Sequence, residues 1–279
     1  MKIFCKELNK SFYEKETLFK ELKENENVIF AQKKLECKSI DKGLQIVTNQ
    51  SEISKAIANE TIKGLKLDND FYYFVVNSSN ILDSHGDVHV EGNWNKTVKE
   101  QQGKVYLVWE HQLDRKNIIA VPKDIELIAT KIPFTLLGKD YDGDSYCLIY
   151  KVAKDKIIDK QAKEFLEQGI DLQASVRMIY IKIEFAFNSN NPEFAKQKQN
   201  FDLYYPTIRN IKETGEREYF TIVKEAKNVN ESSLVLFASN SATGLINNEN
   251  KEEQSDDTLI EIKEEQSDDT QKVKRVLIF

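Results

Sequence analysis

A β-rich α+β fold, a barrel or sandwich rather than a parallel α/β sheet, is what the sequence predicts, and three observations carry the expectation. Between residues 68 and 246, runs of β-branched and aromatic residues recur with turn residues between them, at the roughly 8–12-residue spacing of all-β cores. One strongly amphipathic helical stretch interrupts them. A repeated acidic segment, residues 247–279, then closes the chain and is expected to be disordered.

Residues 1–67 are rich in lysine and glutamate and read as an N-terminal extension or packing subdomain. Ser11 to Asn25 is expected to be helical, with Phe12, Leu18, Phe19 and Leu22 on one stripe. A short apolar run, Val28 to Ala31, follows, and Ile53 to Leu65 suits a second helix. No chemistry is legible in this region. Phe71-Tyr72-Tyr73-Phe74-Val75-Val76 reads as a buried strand. Lys104 to His111 alternates, so Val105, Leu107, Trp109 and His111 are expected on one face. Ile118 to Val121, Ile125 to Phe134 and Tyr146 to Val152 are further strands. Lys151 to Gln168 is expected to be helical on a stripe of Ile157, Ile158, Ala162, Phe165 and Leu166, with Gly169 as its terminating glycine. Ala174 to Phe187 is a long strand. Asn188 to Arg217 reads as a polar excursion, and Tyr219 to Val223 and Ser232 to Ala238 return to strand character.

In the tail, Lys251-Glu252-Glu253-Gln254-Ser255-Asp256-Asp257-Thr258 recurs as Lys263 to Thr270. The final Lys272 to Phe279 is basic and apolar, a frayed end or a docking peptide. The chain carries 46 acidic and 40 basic residues; ten acids and five bases fall in the tail, leaving 36 against 35 elsewhere. A near-neutral body argues against a nucleic-acid face. No apolar stretch approaches the roughly 18 residues of a bilayer span, and no secretory signal is expected. Three widely spaced cysteines give neither a disulfide framework nor a zinc spacing. No cofactor is expected.

Two residues invite chemistry. His111 closes an alternating strand, where it reads as a satisfied core histidine or as a general base. Ser175 lies near the start of the long strand, aligned with Ile179, Ile181 and Ile183, and reads as a backbone-bonded serine or as a nucleophile that needs an adjacent base. Asp83-Ser84-His85-Gly86-Asp87-Val88-His89 holds two histidines and two carboxylates. A metal-dependent hydrolase centred on His85 and His89 is one reading, a loop whose carboxylates bind backbone amides around Gly86 the blander one. Asp140 to Asp144 reads as a polar hairpin turn, since it lacks the closing glutamate of a calcium loop.

Taken together, four stretches resemble the prohead serine proteases of tailed phages. They are the D-x-x-G-D loop Asp83 to Asp87 with Gly92 beyond it; Val108-Trp109-Glu110-His111-Gln112; Leu172-Gln173-Ala174-Ser175-Val176-Arg177; and Asn230-Glu231-Ser232-Ser233-Leu234-Val235 running to Asn240. In the last of these, Ala238-Ser239-Asn240 stands where the family has proline-alanine-asparagine. The resemblance spans about residues 70–245. It implies a core similar to the herpesvirus assemblins, a β-barrel surrounded by helices. It also implies peptide-bond hydrolysis with Ser175 as nucleophile, His111 as base and Glu231 orienting the imidazole, His85 being a competitor for that third place. Backbone amides near Val176, or Arg177 through a water, would meet the oxyanion. The implied substrates are the scaffold and the major capsid protein, cut within the immature prohead in the host cytoplasm, with self-association as in the herpesvirus enzymes and self-removal of the tail. A non-catalytic capsid-assembly protein on the same fold is the competing expectation.

Overall fold

The computed structural model describes residues 2–35, 65 and 67–246. The helix expected over 53–65 falls outside them except for Leu65, and so do the acidic repeats and the basic, apolar end. The chain forms β1 (Ile3–Cys5), β2 (Lys10–Phe12), α1 (Lys15–Glu24), α2 (Glu26–Leu35), β3 (Phe71–Ser78), β4 (Asp87–His89), α3 (Asn95–Gln101), β5 (Tyr106–Trp109) and β6 (Ile118–Ala120). There follow β7 (Ile125–Pro133), β8 (Asp144–Ala153), α4 (Lys160–Glu167), β9 (Gln173–Phe187), α5 (Ala195–Tyr204), α6 (Ile211–Thr214), β10 (Tyr219–Val235) and β11 (Gly244–Leu245). No helix among the described residues is long and apolar enough to cross a membrane.

The mixed α+β, sheet-rich architecture agrees with the sequence; a closed barrel does not form. One sheet has the order β4–β10–β5–β6 with β9 on the other edge of β10, and a second, antiparallel sheet has the order β11–β3–β8–β7. The reason lies in β10, whose two ends pair in parallel with β4 (at Thr221–Val223) and β5 (at Glu231–Leu234). One long strand thus serves two short ones on a single edge, so its sheet branches instead of curling round to meet the other.

The two sheets share a core: Phe74, Leu148 and Tyr150 from one, Leu107, Met178 and Leu234 from the other. Alternate residues of β3 and β8, including Tyr73, Val75 and Ile149, fill a second cluster with Ile132, Phe134 and Ile246. Strands buried on both faces need apolar residues at every position, which explains the unbroken run Phe71 to Val76.

Several elements differ from expectation. The helix expected over 151–168 covers only 160–167, because Asp159 accepts the Ala162 amide at 2.7 Å and starts it there. Ile158, assigned to its apolar stripe, is exposed. Gly169 does end it, with φ +66° and the Ile170 amide bonded back to Phe165 O. The two last strands are one 17-residue strand, and the polar excursion contains α5, which buries Phe201 against Phe220. Val28 to Ala31 lies inside α2. The hairpin between β7 and β8 holds Asp140 to Asp144 as expected.

The N-terminal elements carry more than packing. Phe19 of α1 stacks on Phe187 of β9, ring centres 4.7 Å apart. Lys33 of α2 is 6% exposed, and its ammonium lies 2.6 Å from Asp87 Oδ1 and 3.4 Å from Glu7 Oε1. Burial pulls its pKa down, but the charges of Asp87 and Glu7 outweigh that, and the net displacement is upward.

Candidate active site

Ser175 stands third in β9. The core-facing residues of this strand are Ala174, Val176, Met178 and Tyr180. Ser175 therefore lies on the opposite face, in line with the half-buried Arg177 and Ile179, and not on an apolar one as the sequence suggested. It is still only 9% exposed, because an imidazole covers it. The Ser175 hydroxyl lies 2.9 Å from His111 Nε2.

The histidine reaches it by way of a corner. Val105 and Leu107 are buried as expected, but β5 stops at Trp109. Glu110 and His111 both adopt left-handed backbone, φ +48° and +55°. Two consecutive non-glycine residues there cost about 1–2 kcal/mol each. Hydrogen bonds hold the corner: Glu110 N donates to Leu234 O at 3.0 Å, and Gln112 N to Trp109 O at 2.8 Å. His111 N donates to the Ser233 hydroxyl at 2.7 Å. The ring is thereby aimed between β9 and β10.

Glu231 arrives through a β-bulge. In the β9–β10 register, Met178 faces Asn228 and Val176 faces Ser232, so Val229, Asn230 and Glu231 together oppose Arg177. Asn230 takes φ +65°. Such insertions re-aim a side chain, and here the Glu231 carboxylate meets His111 Nδ1 with both oxygens at 3.1 Å. The side-chain amide of Asn228 pins the bulge, donating to Glu231 O at 2.9 Å and Arg177 O at 3.1 Å. A carboxylate at Nδ1 fixes the tautomer: Nδ1 carries the proton and Nε2 is left to accept from Ser175. Serine, histidine and glutamate thus form one line, the three residues singled out in the sequence. The imidazole's side-chain exposure is 6% and that of Glu231 is 0%.

A small cleft opens beside Ser175, walled by Val176, Met178, His85, Ser239 and Asn240. Its wall is the Asp83–Asp87 loop, built as the blander reading expected. Asp83 Oδ1 accepts the amides of His85 and Asp87, both at 2.9 Å, around Gly86 at φ +79°. Burial first, then the Asp87 charge, pushes the Asp83 pKa up. The two histidines of this stretch part company. His85 Nε2 lies 3.4 Å from the Ser239 hydroxyl in the cleft, whereas His89 is fully buried, stacked on Trp94. Among the described residues, no group of three or more His, Cys, Asp or Glu side chains is placed to hold a metal ion.

His89 yields a prediction. Its Nδ1 meets Asn93 Nδ2 at 2.8 Å, and burial holds its pKa down to about 4 from 6.5. The unfolded chain thus takes up a proton near pH 6.5 that the folded one refuses until near pH 4. The associated stability, about 3 kcal/mol at most, is present above pH 6.5 and is lost as pH falls toward 4. Asp83, displaced upward, runs the other way. The comparison of wild type with His89→Gln isolates the histidine: the variant's urea midpoint should fall less between pH 7 and pH 4.5.

Sequence reasoning missed two supports: Ser233, which holds the His111 amide, and Asn228, which ties the bulge. Arg177, named for the oxyanion, has its Nε 3.6 Å from Glu231 Oε1. The one available signal was Asn228-Val229-Asn230, since asparagine is depleted in regular strands. A hydroxyl hydrogen-bonded to an imidazole that is backed by a carboxylate can deliver an activated alkoxide to an acyl carbon. Compared with known proteins, the chain matches no protein-family model, no curated protein and no solved structure.

Proposed function

We propose that this protein is a serine endopeptidase on an assemblin-like core, acting on scaffold and major capsid protein precursors during prohead maturation. The observation that carries the reading is the 2.9 Å contact of Ser175 Oγ with His111 Nε2, with His111 Nδ1 on both oxygens of Glu231. Ser175 attacks the scissile carbonyl while His111 takes its proton. The imidazolium, balanced by Glu231, then protonates the leaving amine. Water, deprotonated by the same ring, releases the acyl group. The substrate class rests on the resemblance of the four stretches around these residues to the prohead proteases, Asn240 among them. That asparagine is buried and clasps the end of β3, accepting from Ser78 Oγ and donating to Ser78 O, both at 2.8 Å.

Incubation with an active-serine phosphonate should add one adduct mass, mapped to the peptide bearing Ser175. Co-expression with capsid precursors should yield trimmed products. No adduct together with uncut precursors would sink this reading in favour of a non-catalytic assembly role. Glu231→Gln should lower turnover by roughly 10⁴, because the amide no longer fixes the working tautomer or balances the imidazolium.

A further inference from the structure

We propose that Arg177 is a positioning residue, the fourth member of the Ser175–His111–Glu231 line, which holds the buried Glu231 carboxylate ionised and turned toward the imidazole. The inference rests on the peptidase reading of those three residues.

A fully buried carboxylate is costly unless it is paired and hydrogen-bonded. Both oxygens of Glu231 face a single ring nitrogen, His111 Nδ1. Among the described residues, Arg177 supplies the permanent cation within ion-pair reach, its Nε being 3.6 Å from Oε1. That Nε is buried and makes no hydrogen bond. It lies just beyond bonding range of the carboxylate, and a shift of a few tenths of an ångström would close the bond; catalytic hydrogen bonds commonly tighten when substrate binds. The backbone enforces the pairing. Arg177 is the single residue of β9 opposite the three-residue bulge, and Asn228 bonds the carbonyls of both Arg177 and Glu231. Two residues beyond Ser175, the guanidinium shares the nucleophile's side of the strand and still engages the far end of the line.

The charge has a direction. With the guanidinium gone, the Glu231–His111 pair binds a proton more readily, and the acid limb of kcat/KM moves to higher pH. A side chain one-third exposed is partly screened, so the move should be about half a unit to one unit, the low end of what an adjacent charge does. Arg177→Gln should show this, with kcat down roughly 10–100-fold and KM unchanged. Arg177→Lys keeps the charge without the planar fork, so it should keep the acid limb while losing part of kcat, and it guards against misfolding. In a Ser175→Ala background, NMR titration of the His111 ring should show the same Gln-specific shift without any turnover. An unmoved acid limb and unmoved titration in Arg177→Gln, or a loss confined to KM, would overturn the proposal. Absence of phosphonate labelling in the wild type overturns the peptidase reading instead, since the ring titration does not depend on it.

Discussion

Ser175→Ala is expected to lower hydrolysis by a factor on the order of 10⁶, the scale at which removal of a triad serine is felt, and to abolish phosphonate labelling. Without the hydroxyl no acyl-enzyme forms, and only substrate binding and general polarisation remain. Stability should barely change, because the residue sits beside the open cleft, where water can take the place of the lost oxygen at His111 Nε2. Intact-mass analysis of the treated variant reads the first expectation and a urea melt the second. An adduct that survives on Ser233 or Ser239, both near the site, would move the nucleophile and with it the account of the line.

Lys33→Met carries the largest expected effect on stability, a loss of about 3–5 kcal/mol, as is usual when one partner of a buried ion pair is removed. Asp87 has no exposure and accepts from the Tyr180 hydroxyl at 2.9 Å as well as from Lys33. Taking away the ammonium removes the buried positive charge that faces both Asp87 and Glu7. In a domain of this size the melting temperature should fall by about 10 °C. Asp87→Asn should cost a similar amount, and the double variant less than the two singles combined, since the groups touch. Chemical denaturation of the four proteins measures the coupling. If the single losses simply add, the ionic contact does not support the loop that walls the cleft.

How much of this was legible beforehand depended on whether a residue's role is local. Strands β3, β7, β8 and β9 announce themselves because apolar, β-branched residues leave few other options. Gly169 is readable because only a glycine stops a helix cheaply in left-handed backbone. His111 and Ser175 stood out as polar residues in apolar strands, although the serine occupies the face opposite the core. The position of Glu231 came from resemblance alone. Its aim depends on a bulge two residues out of register, and a pattern of period two has no means of expressing that. Lys33 was invisible in principle: a buried lysine looks like any other in a lysine-rich helix until its partner, 54 positions on, is folded against it. The overlong helix at 151–168 failed for a related reason, since the Ile157-Ile158 pair satisfies a helical stripe and a strand exit equally well.

The left-handed corner at Glu110 and His111 bears on when the molecule becomes armed. The direction of the ring is set there by wound main chain, and the winding is retained by bonds to Leu234 and Ser233 of a strand more than a hundred positions away. A polypeptide that has not yet joined those distant segments has no cause to keep so uncomfortable a bend, and relaxing it withdraws the base from its hydroxyl. On the proposed peptidase reading, reactivity is therefore conferred by completion of the architecture itself, and an unfinished copy lacks the aligned base.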